Sequence, residues 1–187
     1  LGLGDVYKRQ VMKIVYFGKS IGFVAGGIGD QIYHLTQLRA LANASLNGKI
    51  DIACIHPGPI SSLLANSPWA GTIVDARPLR RYIPVIRGTR TVARIRQTGY
   101  ESGFILHRST SFKFAAMAAG IRYRVGLYGH PLDQLSLTET LPADAGGDRR
   151  VLWGHRPFIA AADAWITAQY LALDDHTPTI LPAPDMV

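Results

Sequence analysis

Between residues 77 and 96 the chain has no aspartate or glutamate, yet seven arginines fall there: Arg77, Arg80, Arg81, Arg87, Arg90, Arg94 and Arg96. The acids gather later, at Asp133, Glu139, Asp144, Asp148, Asp163, Asp174 and Asp175. One side of the molecule is therefore expected to be strongly basic, and the formal net charge of +7 favours anionic partners. Cysteine is nearly absent. The single Cys54 excludes an internal disulfide and suits a reducing compartment. No uninterrupted apolar run approaches the ~18 residues that a membrane-spanning helix needs. "KFAAMAAGI" is short, and "IVYFGKSIGFVAGG" is broken by Lys19. The opening residues lack the apolar centre of a secretory signal, so the expected location is cytoplasmic. His34, His56, His130, His155 and His176 show no metal-ligand spacing, and no metal or cofactor is expected. Nucleic acid is not expected either, because no RNA-binding or helix-turn-helix motif is present and no aromatics interleave the arginines.

What is present is apolar enough for a packed core, with 48% hydrophobic residues. Strand-like runs at 20–25, 49–56, 72–76, 102–107 and 123–128 alternate with helical patterns. The helical patterns are a leucine-spaced stretch after Asp30, a proline-led one at 59–70, an arginine-rich one at 83–98, "SFKFAAMAAG" closed by Gly120, and 156–173. Residues 129–150 read as loop, and "MKIVYFG" at 12–18 reads as an extra strand without a place. Such alternation predicts an α/β fold, a Rossmann-like parallel sheet with helices on both faces. The expected boundaries are a non-native or disordered leader at 1–11, one domain at 12–174, and a linker at 175–187 carrying Pro178, Pro182 and Pro184.

"FVAGGIGDQIYHL", residues 23–35, places three glycines and Asp30 between the first strand and the first helix. A dinucleotide fingerprint would need a third glycine where Ile32 stands and an acid ending the second strand, where His56 stands. A Walker loop would need Gly-Lys-Ser/Thr, which is missing. Two readings of Asp30 remain open on the residues alone. It is a helix N-cap, or it is a carboxylate at the carboxyl edge of a parallel sheet, where a general base would stand.

The segments "SIGFVAGGIGDQIYHLTQLRAL", "PISSLLANSPWAGTIVD" and "YESGFILHRSTSFKFAAMAAGIRYRVGLY", in this order, resemble the N-terminal half of the ADP-heptose:lipopolysaccharide heptosyltransferase family, glycosyltransferase family 9. The resemblance runs from about Ser20 to Leu173. It implies one half of a GT-B fold, in which two Rossmann-like domains face across a cleft and perform inverting, metal-free transfer. "GGIGDQ" stands where the family has Ser-Ser-Leu-Gly-Asp-Val, and the family's second, donor-binding domain lies outside these 187 residues.

The resemblance makes Asp30 the base that takes the acceptor hydroxyl proton, with Gly27 and Gly29 letting substrates approach. It implies a nucleotide-sugar donor held by the absent domain and an anionic glycolipid acceptor of the lipopolysaccharide-core type. His107, Arg108, Ser109, Ser111 and Lys113 would bind acceptor carboxylates and phosphates, although Ser109 and Ser111 also suit helix caps. Arg124 reads either as a further contact or as a surface ion pair. Arg87, Arg90 and Arg94 share a helical face opposite Val92 and Ile95, suited to acceptor phosphates or to peripheral contact with the inner face of an anionic plasma membrane. The alternative from another class is a non-catalytic anion- or lipid-binding α/β module.

Overall fold

The structure is a computed structural model, and it describes residues 16–81, 86–127, 130–141, 162–163 and 165–167. Among the described residues, six strands pair in one sheet: β1 (Ser20–Val24), β2 (Ile50–Cys54), β3 (Ala70–Asp75), β4 (Ser102–Ile105), β5 (Tyr123–Leu127) and β6 (Glu139–Leu141). Their order across the sheet is β3-β2-β1-β4-β5-β6, and every pairing is parallel. Parallel neighbours need crossovers, and helices supply them. They are α1 (Ile28–Tyr33), α2 (Leu35–Asn43), α3 (Pro57–Leu64), α4 (Thr89–Thr98), α5 (Thr110–Ala118) and the short α6 (Asp133–Ser136), with a 3-10 turn at Arg77–Arg81. The Rossmann-like α/β expectation holds.

Alternation along the strands divides the core into two layers. On one face, Ile50, Ile52, Cys54, Phe104 and Val125 pack with Leu35, Leu38 and Leu41 of α2, Ile60 and Leu64 of α3, and Trp165 and Ile166. On the other, Ile21, Phe23, Ala53, Val74 and Ile105 pack with Leu79, Val92 and Ile95 of α4, and Phe112 and Ala115 of α5. Gly22 lies in the central strand because any Cβ there would run into Leu38. That notch lets α2 approach closely and seal Leu38, burial of which stabilises by about 1.5–3 kcal/mol.

Two local expectations are corrected. The leucine-spaced helix after Asp30 is two helices that meet at His34, whose φ of −89° and ψ of 0° lie in the bridge region. Residues 133–136 and 139–141 are not loop. They form α6 and the edge strand β6, whose Glu139 accepts hydrogen bonds from Tyr123 Oη and Trp165 Nε1. Tyr16–Gly18 have no strand character, and the rest of the extra strand, the leader and the linker lie outside the described residues. Of the helix expected at 156–173, residues 162–163 and 165–167 are helical.

Cys54 sits fully buried at the end of β2, and burial pushes its thiol up to about 11. Only on the order of one thiol in a thousand is then ionised at pH 8, so the folded chain should resist a disulfide reagent. Labelling should follow unfolding instead: negligible in buffer and complete in denaturant. Rapid native labelling at pH 8 would contradict the packing of β2.

Candidate functional site

Because all strands are parallel, every strand ends at the same edge, and the chain reverses its direction across the sheet between β1 and β4. Ligands of open α/β sheets bind in the crevice at such a reversal. Leu106 N–H donates to Phe23 O at 3.0 Å, so β1 and β4 run together to their ends before their loops diverge. One loop carries Gly26, Gly27 and Asp30; the other carries residues 107–110.

In the first loop Gly26 has φ of +96°, a conformation that disfavours any side chain. A Cβ there would also lie 2.5 Å from Asp30 Oδ2. Gly27 is the N-cap of α1, and Asp30 sits three residues further on, so Asp30 is not the cap that its sequence position suggested. Its Oδ2 accepts from Gly27 N–H at 2.7 Å, the reach-back half of a capping box, since Gly27 has no side chain to return the bond. Gln31 is buried and donates through Nε2 to Gly26 O at 3.1 Å, which clamps the turn from beneath. Gly27 and Gly29 are exposed, and the space where a Gly29 side chain would stand is open.

In the second loop Ser109 N–H donates to His107 Nδ1 at 3.1 Å. Ser109 is the N-cap of α5, accepting from Phe112 N–H at 3.4 Å. Arg108 is exposed, and Ser111 is half-buried in the first helical turn. Lys113 is elsewhere. Its side chain is fully buried, and Nζ lies 2.6 Å from Asp133 Oδ2 and 2.5 Å from Leu127 O. Burial is the larger influence and draws the Lys113 ammonium below its ordinary value, while the Asp133 carboxylate opposes the shift. The charge expected to meet a ligand is thus spent inside the protein.

Arg124 does not join the other residues. It lies near the start of β5, paired with Gly103, and its guanidinium donates to the backbone carbonyls of Ser136, Ile121 and Arg122. It is neither at the loop edge nor in a surface ion pair among the described residues.

Part of the basic run does reach the loop edge. The turn at Arg77–Arg81 follows β3 and packs against α5 through the buried Leu79. Arg77, Arg80 and Arg81 line an open pocket of about 630 Å³ together with Arg87 and Gly88. Arg77 is paired: Asp75 Oδ2 is 2.6 Å from its Nη2, and that guanidinium holds the Asp75 carboxyl below the usual range. No described carboxylate lies against Arg80, Arg81 or Arg87. Arg87 precedes α4, which begins at Thr89, so only Arg90 and Arg94 share the exposed helical face opposite buried Val92 and Ile95. Two pairings had no sequence signal: Lys113 with Asp133, twenty residues apart, and the gathering of separate arginines around one pocket. Asp75, two residues before Arg77 at a strand end, was the readable one.

These features define a doubly wound α/β domain with a glycine-lined carboxylate and a basic pocket at the carboxyl edge of its sheet. The fold is glycosyltransferase-like. A glycosyltransferase family 9 protein from Veillonella parvula matches with a TM-score of 0.60 and 16% identity, over 90% of this chain and 45% of that one. The ADP-heptose lipopolysaccharide heptosyltransferase II of E. coli matches with a TM-score of 0.61 and 19% identity, over 89% and 47%. An E. coli heptosyltransferase solved with ADP matches at 0.53 and 9%, over 84% and 49%. The chain therefore spans about half the length of these solved proteins. No protein-family model and no curated protein matches its sequence.

Gly26→Ala tests the turn. A side chain in this left-handed conformation costs about 1–2 kcal/mol before any clash with Asp30 is counted. Denaturant titration should show a loss of at least that size, whereas Gly29→Ala, with open space around it, should cost less than Gly26→Ala. Equal losses would argue against the clamped turn.

Proposed function

We propose that this chain is the N-terminal, acceptor-binding domain of an inverting glycosyltransferase. It would act on a nucleotide-sugar held by a second domain, joined through residues 175–187, and on an anionic glycolipid acceptor of the lipopolysaccharide-core type. One observation carries the reading. The loop bearing Asp30 and the loop bearing Arg108 leave adjacent parallel strands where the strand order reverses. The fold shared with heptosyltransferases supports it.

In this reading the acceptor hydroxyl lies over Gly27 and Gly29. Asp30 takes the hydroxyl proton as the oxygen bonds to the anomeric carbon. The bond from that carbon to the nucleoside diphosphate breaks on the opposite face, and the diphosphate leaves with the electron pair. Inversion follows from this in-line geometry, which also supplies much of the rate. Arg108 and the cations of the basic pocket neutralise acceptor phosphates, while Arg90 and Arg94 face an anionic membrane surface. His107, Ser109 and Ser111 shape the acceptor side of the cleft. Lys113 and Arg124 contribute from within the scaffold, through the contacts described above.

The basic pocket alone also favours a non-catalytic anion- or lipid-binding module. Asp30 separates the two. In the full-length enzyme, Asp30→Asn retains an oxygen that accepts from Gly27 N–H, so the fold is expected to hold. Turnover should fall by roughly 10²–10⁴-fold, the usual contribution of a positioned proton transfer. Asp30→Ala loses the bond to Gly27 N–H as well, at about 0.3–1.5 kcal/mol. Melting temperature and nucleotide release from ADP- and UDP-sugars, measured side by side, decide the matter. An Asn variant with ordinary turnover removes Asp30 from the chemistry, and absence of nucleotide release from the unaltered full-length protein leaves the binding module standing.

The membrane contact has its own test. The chain should float with vesicles containing anionic lipid but not with neutral ones, and the binding should weaken as salt rises past about 0.1 M. Replacing Arg90 and Arg94 together by glutamine should abolish it. Flotation that ignores lipid charge would assign these arginines to an ordinary solvated surface.

A further inference from the structure

We propose that Lys113 and Asp133 form a positioning pair that sets the 107–110 loop against the Asp30 loop. The proposal rests on the reading of that loop as an acceptor contact. Both side chains are fully buried, and neither is aimed at the cleft. What they hold is informative. Lys113 Nζ reaches three acceptors: Asp133 Oδ2, the carbonyl of Leu127 at the end of β5, and the carbonyl of Arg108 at 3.4 Å. Asp133 in turn accepts from Thr110 Oγ1 at 3.0 Å and from His130 N–H at 2.9 Å. The pair therefore ties the peptide of the exposed Arg108 and the first turn of α5 to the segment that follows β5.

Charge alone does not account for this arrangement. Residue 113 must be a donor, because two backbone carbonyls point at it. Residue 133 must be an acceptor, because a backbone N–H and a hydroxyl point at it. A buried pair that served stability alone would be replaceable by apolar residues of similar volume, often at no cost. A pair that places a loop would not be replaceable without moving the loop. The Ser109 N–H reports on that placement, since it is bonded to His107 Nδ1 only while residues 107–109 keep their turn.

The test replaces both members, Lys113→Met with Asp133→Leu, so that no charge is left unpaired. Cooperative melting at a lower temperature is expected, because the carbonyls of Leu127 and Arg108 and the His130 N–H lose their partners, with amide exchange of Ser109 at least ten-fold faster. The amides of β1 and β2 should lose far less protection than Ser109. Thr110→Val removes a single tie without unpairing a charge, and it should accelerate Ser109 exchange in the same direction by a smaller factor. If the double variant does not fold, the Thr110→Val result decides. Unchanged Ser109 exchange in whichever variants fold would overturn the proposal. Titration with inorganic phosphate, followed by NMR at the backbone amides of residues 107–110, addresses the functional reading separately. The double variant should bind about ten-fold more weakly, with Arg108→Ala as the control. If Arg108→Ala leaves phosphate binding intact, the loop is not an anion contact, and Ser109 exchange still judges the positioning pair.

Discussion

Six parallel strands cannot be joined by tight turns, and that constraint arranges everything else in the molecule. Each connection must cross a face of the sheet, so each strand ends at one edge and each helix begins there. The first two crossovers lie on one face and the next two on the other, which forces the strand order to reverse between β1 and β4. At the reversal the two neighbouring connections depart to opposite faces and leave a crevice between them. The residues with chemical potential collect at that edge for a topological reason, before any question of function arises.

Charge is distributed around the same edge according to depth. At the surface, Arg80, Arg81 and Arg87 meet no described carboxylate and keep their charge for the pocket. Inside, Lys113 has no water to solvate its ammonium, so an aspartate and backbone carbonyls surround it instead. Asp75 and Arg77 lie between these extremes, half open to solvent and bonded to each other. A basic sequence stretch is thus not a uniform basic surface. Part of it is neutralised locally, and the remainder concentrates where the turn after β3 meets the start of α4.

The sheet was legible because its strands are short buried runs punctuated by glycine, proline and helix starts. Five of them follow directly from the pattern, as does the α/β class. β6 was not legible: a three-residue strand is too short to show alternation, and it exists because the edge of β5 offers unpaired backbone groups. The break at His34 was hidden for a related reason, since leucine spacing continues through it. Among the candidate site residues, sequence reasoning could place Asp30, Arg108 and Ser109 at strand ends, because loop position follows from strand position. It could not tell that Lys113 points inward. A cation in the first turn of a helix looks the same in sequence whether a ligand or Asp133 answers it. Arg124 failed likewise, because its position early in β5 puts it at the wrong end of the strand.

The geometry of Asp30 joins these threads. As a third helical residue, rather than a cap, it turns its carboxylate back over the loop toward Gly27 N–H. A true N-cap would direct its side chain at the amides inside the first turn, away from the mouth of the crevice. The bond to Gly27 N–H therefore does two things with one side chain: it closes the helix start and keeps a carboxylate at the open edge of the sheet. Gly26 is what permits it, since any larger residue would occupy the space that the Asp30 side chain fills. The glycines of "GGIGD" are thus divided in purpose. Gly26 makes room for the carboxylate, Gly27 supplies the amide that orients it, and Gly29 leaves the approach to it open.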